Sequence, residues 1–162
     1  MNGKIQISHV KNETTYNIPL VLEENVISSG ISLLSLWHTL ADESYRVSWP
    51  RDKKKPLIAN SWVAIYTLQG CGKIYLRDHT EITLNGNCVI FLKPIEIKSY
   101  HCAGLVWEQY WMEFIPTTLM PIPVLQIGTI YHADIFNKEL NEVALLIADR
   151  DPLKNNLAVA YR

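Results

Sequence analysis

At 162 residues the chain has the length of one domain, enough to bury a core without disulfide staples. Hydrophobic residues make up 48% and charged residues 19%, which excludes a disordered tail. A net charge of −1 excludes a free-standing nucleic-acid binder of the usual basic kind. The N-terminus lacks the basic-then-apolar plan of a signal peptide, and no apolar run approaches the ~20 residues of a membrane span. A cytoplasmic protein without a membrane partner is expected. The three cysteines, Cys71, Cys88 and Cys102, have no paired spacing and read as reduced thiols.

In chain order, residues 1–30 are mixed and polar, with a short apolar patch from Ile18 to Leu22. They read as an arm lying against the body. From 31 to 130 the texture is β: runs rich in Ile, Val, Tyr, Trp and Thr separated by turn residues, as a sandwich or barrel requires. Strands are expected near 31–38, 45–49, 62–69, 73–77, 81–84, 88–92, 99–102, 106–114 and 124–130. Gly70 and Gly72 suggest a hairpin turn between two of them. Further turns are expected at Arg77-Asp78-His79 and at Asn85-Gly86-Asn87, and Pro94 should stop the preceding strand. Ile74 and Leu76 alternate with Lys73, Tyr75 and Arg77, the period of a half-exposed strand.

After residue 130 the period changes. Phe136, Leu140, Val143 and Ile147 recur at helical spacing, with Asp134 as the expected N-cap. This stripe is a candidate dimerisation face. Asp151 and Pro152 look like the start of a second helix, and its unfinished pattern at Arg162 reads as a chain cut before a further domain.

The most informative segment runs from Trp107 to Phe114. As a strand it places Trp107, Gln109, Trp111 and Glu113 on one face and Glu108, Tyr110, Met112 and Phe114 on the other. Two indoles flanking an amide suit a small polyhydroxylated ligand: the ring planes cover C–H surface and the amide fixes hydroxyls. From spacing alone the same residues more often serve as plain core, because large aromatics usually serve packing. The five histidines are scattered, with no His-x-His pair and no Cys-x-x-Cys, so no metal or other cofactor is expected. No nucleophile motif and no phosphate-binding loop is present. Cys71 lacks a base that would activate it, and the basic run Arg51–Pro56 reads as a solvated loop. Arg46 stands near a strand end, within reach of a ligand at a barrel mouth.

Taken in order, Trp62, Gln69, Gly70 and Gly72, then Leu84, Gly86, Asn87 and Pro94, then Tyr100, then Trp107, Trp111 and Phe114 form a series. It resembles the N-terminal sensing domain of AraC-type transcription regulators over roughly Ile58 to Pro116. The resemblance implies a cupin-like double-stranded β-helix barrel, a jelly roll, followed by one or two C-terminal helices. It further implies an effector held in a non-metal barrel, a homodimer, and DNA contact only through a helix-turn-helix domain outside this chain. In arabinose-responsive relatives sugar contacts come from positions matching Gln69, Tyr100, Gln109 and Trp111, so a sugar is the leading effector class. Asn87, Lys98 and Gln69 depart from the family pattern, where Asp, His and Arg are usual. Two other readings remain open: a stand-alone cupin enzyme of sugar isomerase or dioxygenase type, and a dimerisation module without a ligand.

Overall fold

The computed structural model describes residues 16–20, 26–27, 31–49, 58–116, 119 and 121–148. Among these residues nine strands join into one antiparallel sheet: β1 (Tyr16–Leu20), β2 (Val26–Ile27), β3 (Ile31–Asp42), β4 (Arg46–Ser48), β5 (Trp62–Leu76), β6 (Glu81–Asn85), β7 (Cys88–Leu92), β8 (Ile97–Pro116) and β9 (Gly128–Thr129). One helix follows, α1 (Ala133–Ala148). The architecture is mainly β, as the strand pattern predicts, and it is the jelly roll that the resemblance implies.

The two long strands organise it. The first half of β5 pairs with β7 and its second half with β6. Likewise β8 pairs with β4 near its start and with β3 along its second half, while running beside β5 throughout. Each long strand therefore belongs to two layers. Inward residues from both layers meet in one core: Val63, Ile65, Ile90 and Trp111 from one, Ile74, Leu84, Ile97 and Tyr100 from the other.

Gly70 and Gly72 do not make the expected hairpin turn. They lie inside β5, at register shifts against β8. Gly70 has φ +77°, and a Cβ there would stand 1.9 Å from the Val106 carbonyl oxygen. A Cβ on Gly72 would stand 2.1 Å from the Trp107 ring. The glycines serve a bulge that bends β5 from one layer to the other and lets the indole lie on bare backbone.

Other expectations differ in detail. The stretches 99–102 and 106–114 are one strand, β8, carried through the bend. Of the strand expected at 124–130, only the pair Gly128–Thr129 and a single bridge from Val124 to Phe91 form. The turns at 77–79 and 86–87 occur as expected, with His79 and Asn87 at positive φ, and Pro94 opens a short 3-10 helix after β7. Part of the expected arm is integral to the sheet, because β1 and β2 both pair with β3. The first bond of α1 runs from Phe136 N to His132 O, so Asp134 sits within the first turn instead of capping it. A carboxylate there still suits the positive end of the helix dipole. The second helix expected from Asp151 and the basic run at 51–56 lie outside the described residues.

Candidate functional site

Strand alternation in β8 sorts its side chains as its sequence suggests. Trp107, Gln109, Trp111 and Glu113 face the interior; Tyr110 and Phe114 belong to a second cluster on the outer face of the sheet. The interior face meets Tyr45, Trp49 and Tyr100 from the opposite layer. Tyr100 lies 4.8 Å from Trp111 between ring centroids and 6.4 Å from Trp107; Trp49 lies 5.3 Å from Trp111; Tyr45 lies 6.4 Å from Trp107. Tilted and edge-on pairs at these separations are favourable beyond the area they bury. The five rings form a continuous aromatic lining.

Polar groups within this lining are mostly engaged. Trp107 Nε1 donates to Thr67 Oγ1 at 3.1 Å, and Trp49 Nε1 to the Pro94 carbonyl at 2.7 Å. Ser61 Oγ donates to Glu113 Oε1 at 3.0 Å. Burial pushes the Tyr45 phenol up to about 12, partly offset by its hydrogen bonds to Tyr100 and Thr39. One atom stands apart. Gln109 is 1% exposed, and its Oε1 is the buried side-chain polar atom with no hydrogen-bond partner among the described residues. Leaving such an acceptor unmet costs about 1–3 kcal/mol.

The expected ligand residues divide accordingly. Tyr100, Trp107, Gln109 and Trp111 come together in the interior. Gln69 and Arg46 do not. The register shift after Thr67 turns Gln69 outward, where its Nε2 donates to Glu108 Oε2 at 2.7 Å. Arg46 is exposed and pairs across strands with His101, while Tyr45 and Val47 on either side of it pack on the core. Desolvation and the charges of Arg46 and Lys73 hold the His101 imidazole below its usual range. Tyr45, Trp49 and Thr67 are interior residues that sequence reasoning did not select, and Glu113 lies on the face it assigned without being chosen as a ligand residue. Period two along 45–49 carried the signal for the first two, since it sets Tyr45, Val47 and Trp49 opposite Arg46.

On the outer face α1 docks against β5 and β8. Tyr66 donates its hydroxyl to Asn137 Oδ1 at 2.6 Å, and Tyr110 donates to Asn141 Oδ1. The two asparagines are one helical turn apart. Phe136 meets Tyr66 edge-on at 5.0 Å, and Leu140 packs on the outer cluster. The first half of the candidate dimerisation stripe is thus engaged with its own barrel; the side chains of Val143 and Ile147 lie outside the described residues. Behind Tyr110, His38 stacks at 4.3 Å and its Nε2 lies 2.9 Å from Glu108 Oε1. Tyr110, flanked in sequence by Gln109 and Trp111, therefore ties the lining of the interior to the helix.

No three His, Cys, Asp or Glu side chains come together among the described residues. A shallow groove lined by Leu76, Arg77, Ile95 and Leu125 lies beside the 77–79 turn and shares no residue with the aromatic lining.

Over 161 residues, 99% of its length, this chain is 71% identical to the Escherichia coli K12 protein described as the uncharacterized HTH-type transcriptional regulator YidL. The chain is a homologue of a transcriptional regulator. It spans 54% of that relative's length. No family model matches the chain. Among solved structures, YhaK from Escherichia coli shares the fold, with a TM-score of 0.52 at 10% identity over 74% of this chain and 52% of that one. A Cupin_2 domain of an XRE family transcriptional regulator from Enterobacter cloacae aligns at a TM-score of 0.47 and 9% identity, over 64% of this chain and 97% of that one. No helix among the described residues is long and apolar enough to cross a membrane.

Proposed function

We propose that this chain is the effector-sensing part of an AraC-type transcription regulator, a cytoplasmic, non-enzymatic domain whose interior takes a small molecule. The observation that carries this reading is Gln109: a buried carboxamide oxygen without a donor among the described residues, on the β8 face between Trp107 and Trp111. An effector hydroxyl or amine supplies the donor, and its C–H surface lies on the indoles of Trp107 and Trp111. A sugar is the class that the family resemblance suggests. Entry requires Trp49 or Tyr100 to move off Trp111, and occupancy then favours that opened arrangement.

The response travels through β8. Tyr110 faces outward between Gln109 and Trp111 and holds α1 through Asn141, so displacement of the strand acts on the helix. In the intact regulator α1 leads toward a helix-turn-helix domain that contacts DNA. The chain pairs with a second copy through the same helix, where Phe136 keeps 40% of its surface exposed after docking.

The close stacking of Tyr100 on Trp111 favours a second reading, a self-filled dimerisation module. A Trp-fluorescence and thermal-shift screen against sugars and other small metabolites separates the two. At a hundredfold excess over Kd, an effector stabilises the chain by about 2.7 kcal/mol. That gain should vanish in Trp111→Ala. A flat response across the whole panel, with dimerisation intact, establishes the self-filled module instead.

A further inference from the structure

Alternation in the second layer gathers cationic groups on its outer face. The inward residues there, Ile74, Leu84, Ile97 and Tyr100, belong to the core, so their neighbours along the strands point away from it. Register sets Arg46 of β4 opposite His101 of β8, and His101 opposite Lys73 of β5, in one cross-strand row. Neighbours in such a row have Cβ atoms about 5 Å apart. β5 also turns Cys71 and Tyr75 to this side, and β6 turns Glu81. Tyr75 stacks on the His101 ring at 5.6 Å. Glu81 is engaged by Lys73 and by the Tyr75 hydroxyl. Arg46 has no such counter-charge. Its guanidinium, the His101 ring nitrogens and the Ser99 hydroxyl, two residues back along β8, bond nothing among the described residues. Burial and the charges of Arg46 and Lys73 hold the His101 ring below its usual range, against the pull of Glu81, so near neutral pH the ring is uncharged and keeps one N–H donor.

We infer that Arg46, His101 and Ser99 form a binding site for a phosphoryl group, on the side of the sheet opposite the aromatic lining. Three kinds of donor meet there from two neighbouring strands: the planar fork of the guanidinium, an imidazole N–H and a hydroxyl. A tetrahedral oxyanion has acceptor oxygens for all of them, whereas a carboxylate has only two. The anion also offsets the repulsion between Arg46 and a protonated His101. Anion binding and protonation of His101 therefore favour each other, and affinity rises as pH falls through the range of the histidine. Lys73 adds to the attraction, and Glu81, beyond Tyr75 in the next row, opposes it. The site does not depend on the effector-sensing reading.

The probe is sulfate, a dianion throughout the pH range used, added to the 162-residue chain against chloride at equal ionic strength, with the His101 ring followed by NMR. Sulfate should raise the His101 midpoint by about one unit, equivalent to roughly tenfold tighter binding to the protonated ring. Arg46→Gln should abolish that rise. Lys138→Gln removes an equal charge from an exposed position on α1 and should keep it. An unchanged midpoint in the parent, or equal loss in the two variants, overturns the site. Acetate acting as strongly as sulfate overturns the phosphoryl assignment. Duplex DNA and glycerol 3-phosphate then distinguish the sources of the group. A rise with DNA alone assigns a backbone phosphate, a rise with glycerol 3-phosphate assigns a soluble phosphate ester, and silence from both overturns the phosphoryl assignment.

Discussion

Replacing Gln109 with Met removes the buried carboxamide and keeps side-chain length and apolar volume. In most proteins the loss of a buried, hydrogen-bonded polar group destabilises, because its partner is stranded. Here no described residue donates to the Oε1 acceptor, and its own burial costs about 1–3 kcal/mol. Loss of a hydrogen bond from the amide nitrogen would subtract about 1 kcal/mol. Gln109→Met therefore leaves the ligand-free chain as stable as the parent or up to ~2 kcal/mol more stable. At this chain length that is a rise in Tm of up to about 4–8 °C. Paired urea and thermal unfolding of both proteins, with and without the effector found by the screen, reads the two halves of the argument. The variant should match or exceed the parent when ligand-free and show no ligand-induced shift. A loss of 2 kcal/mol or more by extrapolation to zero urea would refute the reasoning, since it would make Gln109 a structural member of the core.

Three further outcomes follow from the same geometry. Gly72→Ala sets a methyl against the fully buried Trp107 ring and should destabilise by about 1–3 kcal/mol in urea unfolding; an unchanged midpoint would show that the indole does not lie on that backbone. Tyr66→Phe combined with Tyr110→Phe removes both hydroxyls that hold α1, about 1 kcal/mol each, and should speed amide exchange in α1 while the β5 and β8 amides stay protected; uniform acceleration would place the effect elsewhere. Burial raises Tyr45 and Tyr110 to about 12, for Tyr110 with a further push from Glu108, so the folded chain holds these two protons after the unfolded chain has lost them. Stability contributed by the neutral phenols is then complete below pH ~10 and falls as pH rises from about 10 to 12, and ultraviolet titration should show Tyr45 and Tyr110 ionising late.

How much of this was legible without coordinates depends on whether the deciding constraint is local. Period two in Trp107–Phe114 is local, and it correctly set Gln109 and Trp111 together on the face opposite Tyr110. The helical stripe of α1 is also local, yet its partner is not: period shows that Phe136 and Leu140 need cover, and a barrel face satisfies that as well as a second chain. The Gly70–Gly72 pair shows the limit most clearly. Both a hairpin turn and a bulge need positive φ and missing side chains, so glycine alone does not distinguish them. What distinguishes them is the Trp107 ring lying on Gly72 and the Val106 carbonyl against Gly70, contacts from more than thirty positions away. A second register shift, between Thr67 and Gln69, displaced Gln69 from the site, because one extra residue reverses the alternation of everything that follows it. Arg46 is the contrary case. The alternation of Tyr45, Val47 and Trp49 was present in the sequence and already placed the guanidinium outside. Taken together, the bulge and the bend it imposes explain why Tyr45, Trp49 and Tyr100, carried by one layer, end up against Trp107 and Trp111, carried by the other. The aromatic lining is a product of the fold's crossing strands, and Gln109 is buried on the same β8 face between Trp107 and Trp111 with an acceptor that no described residue meets.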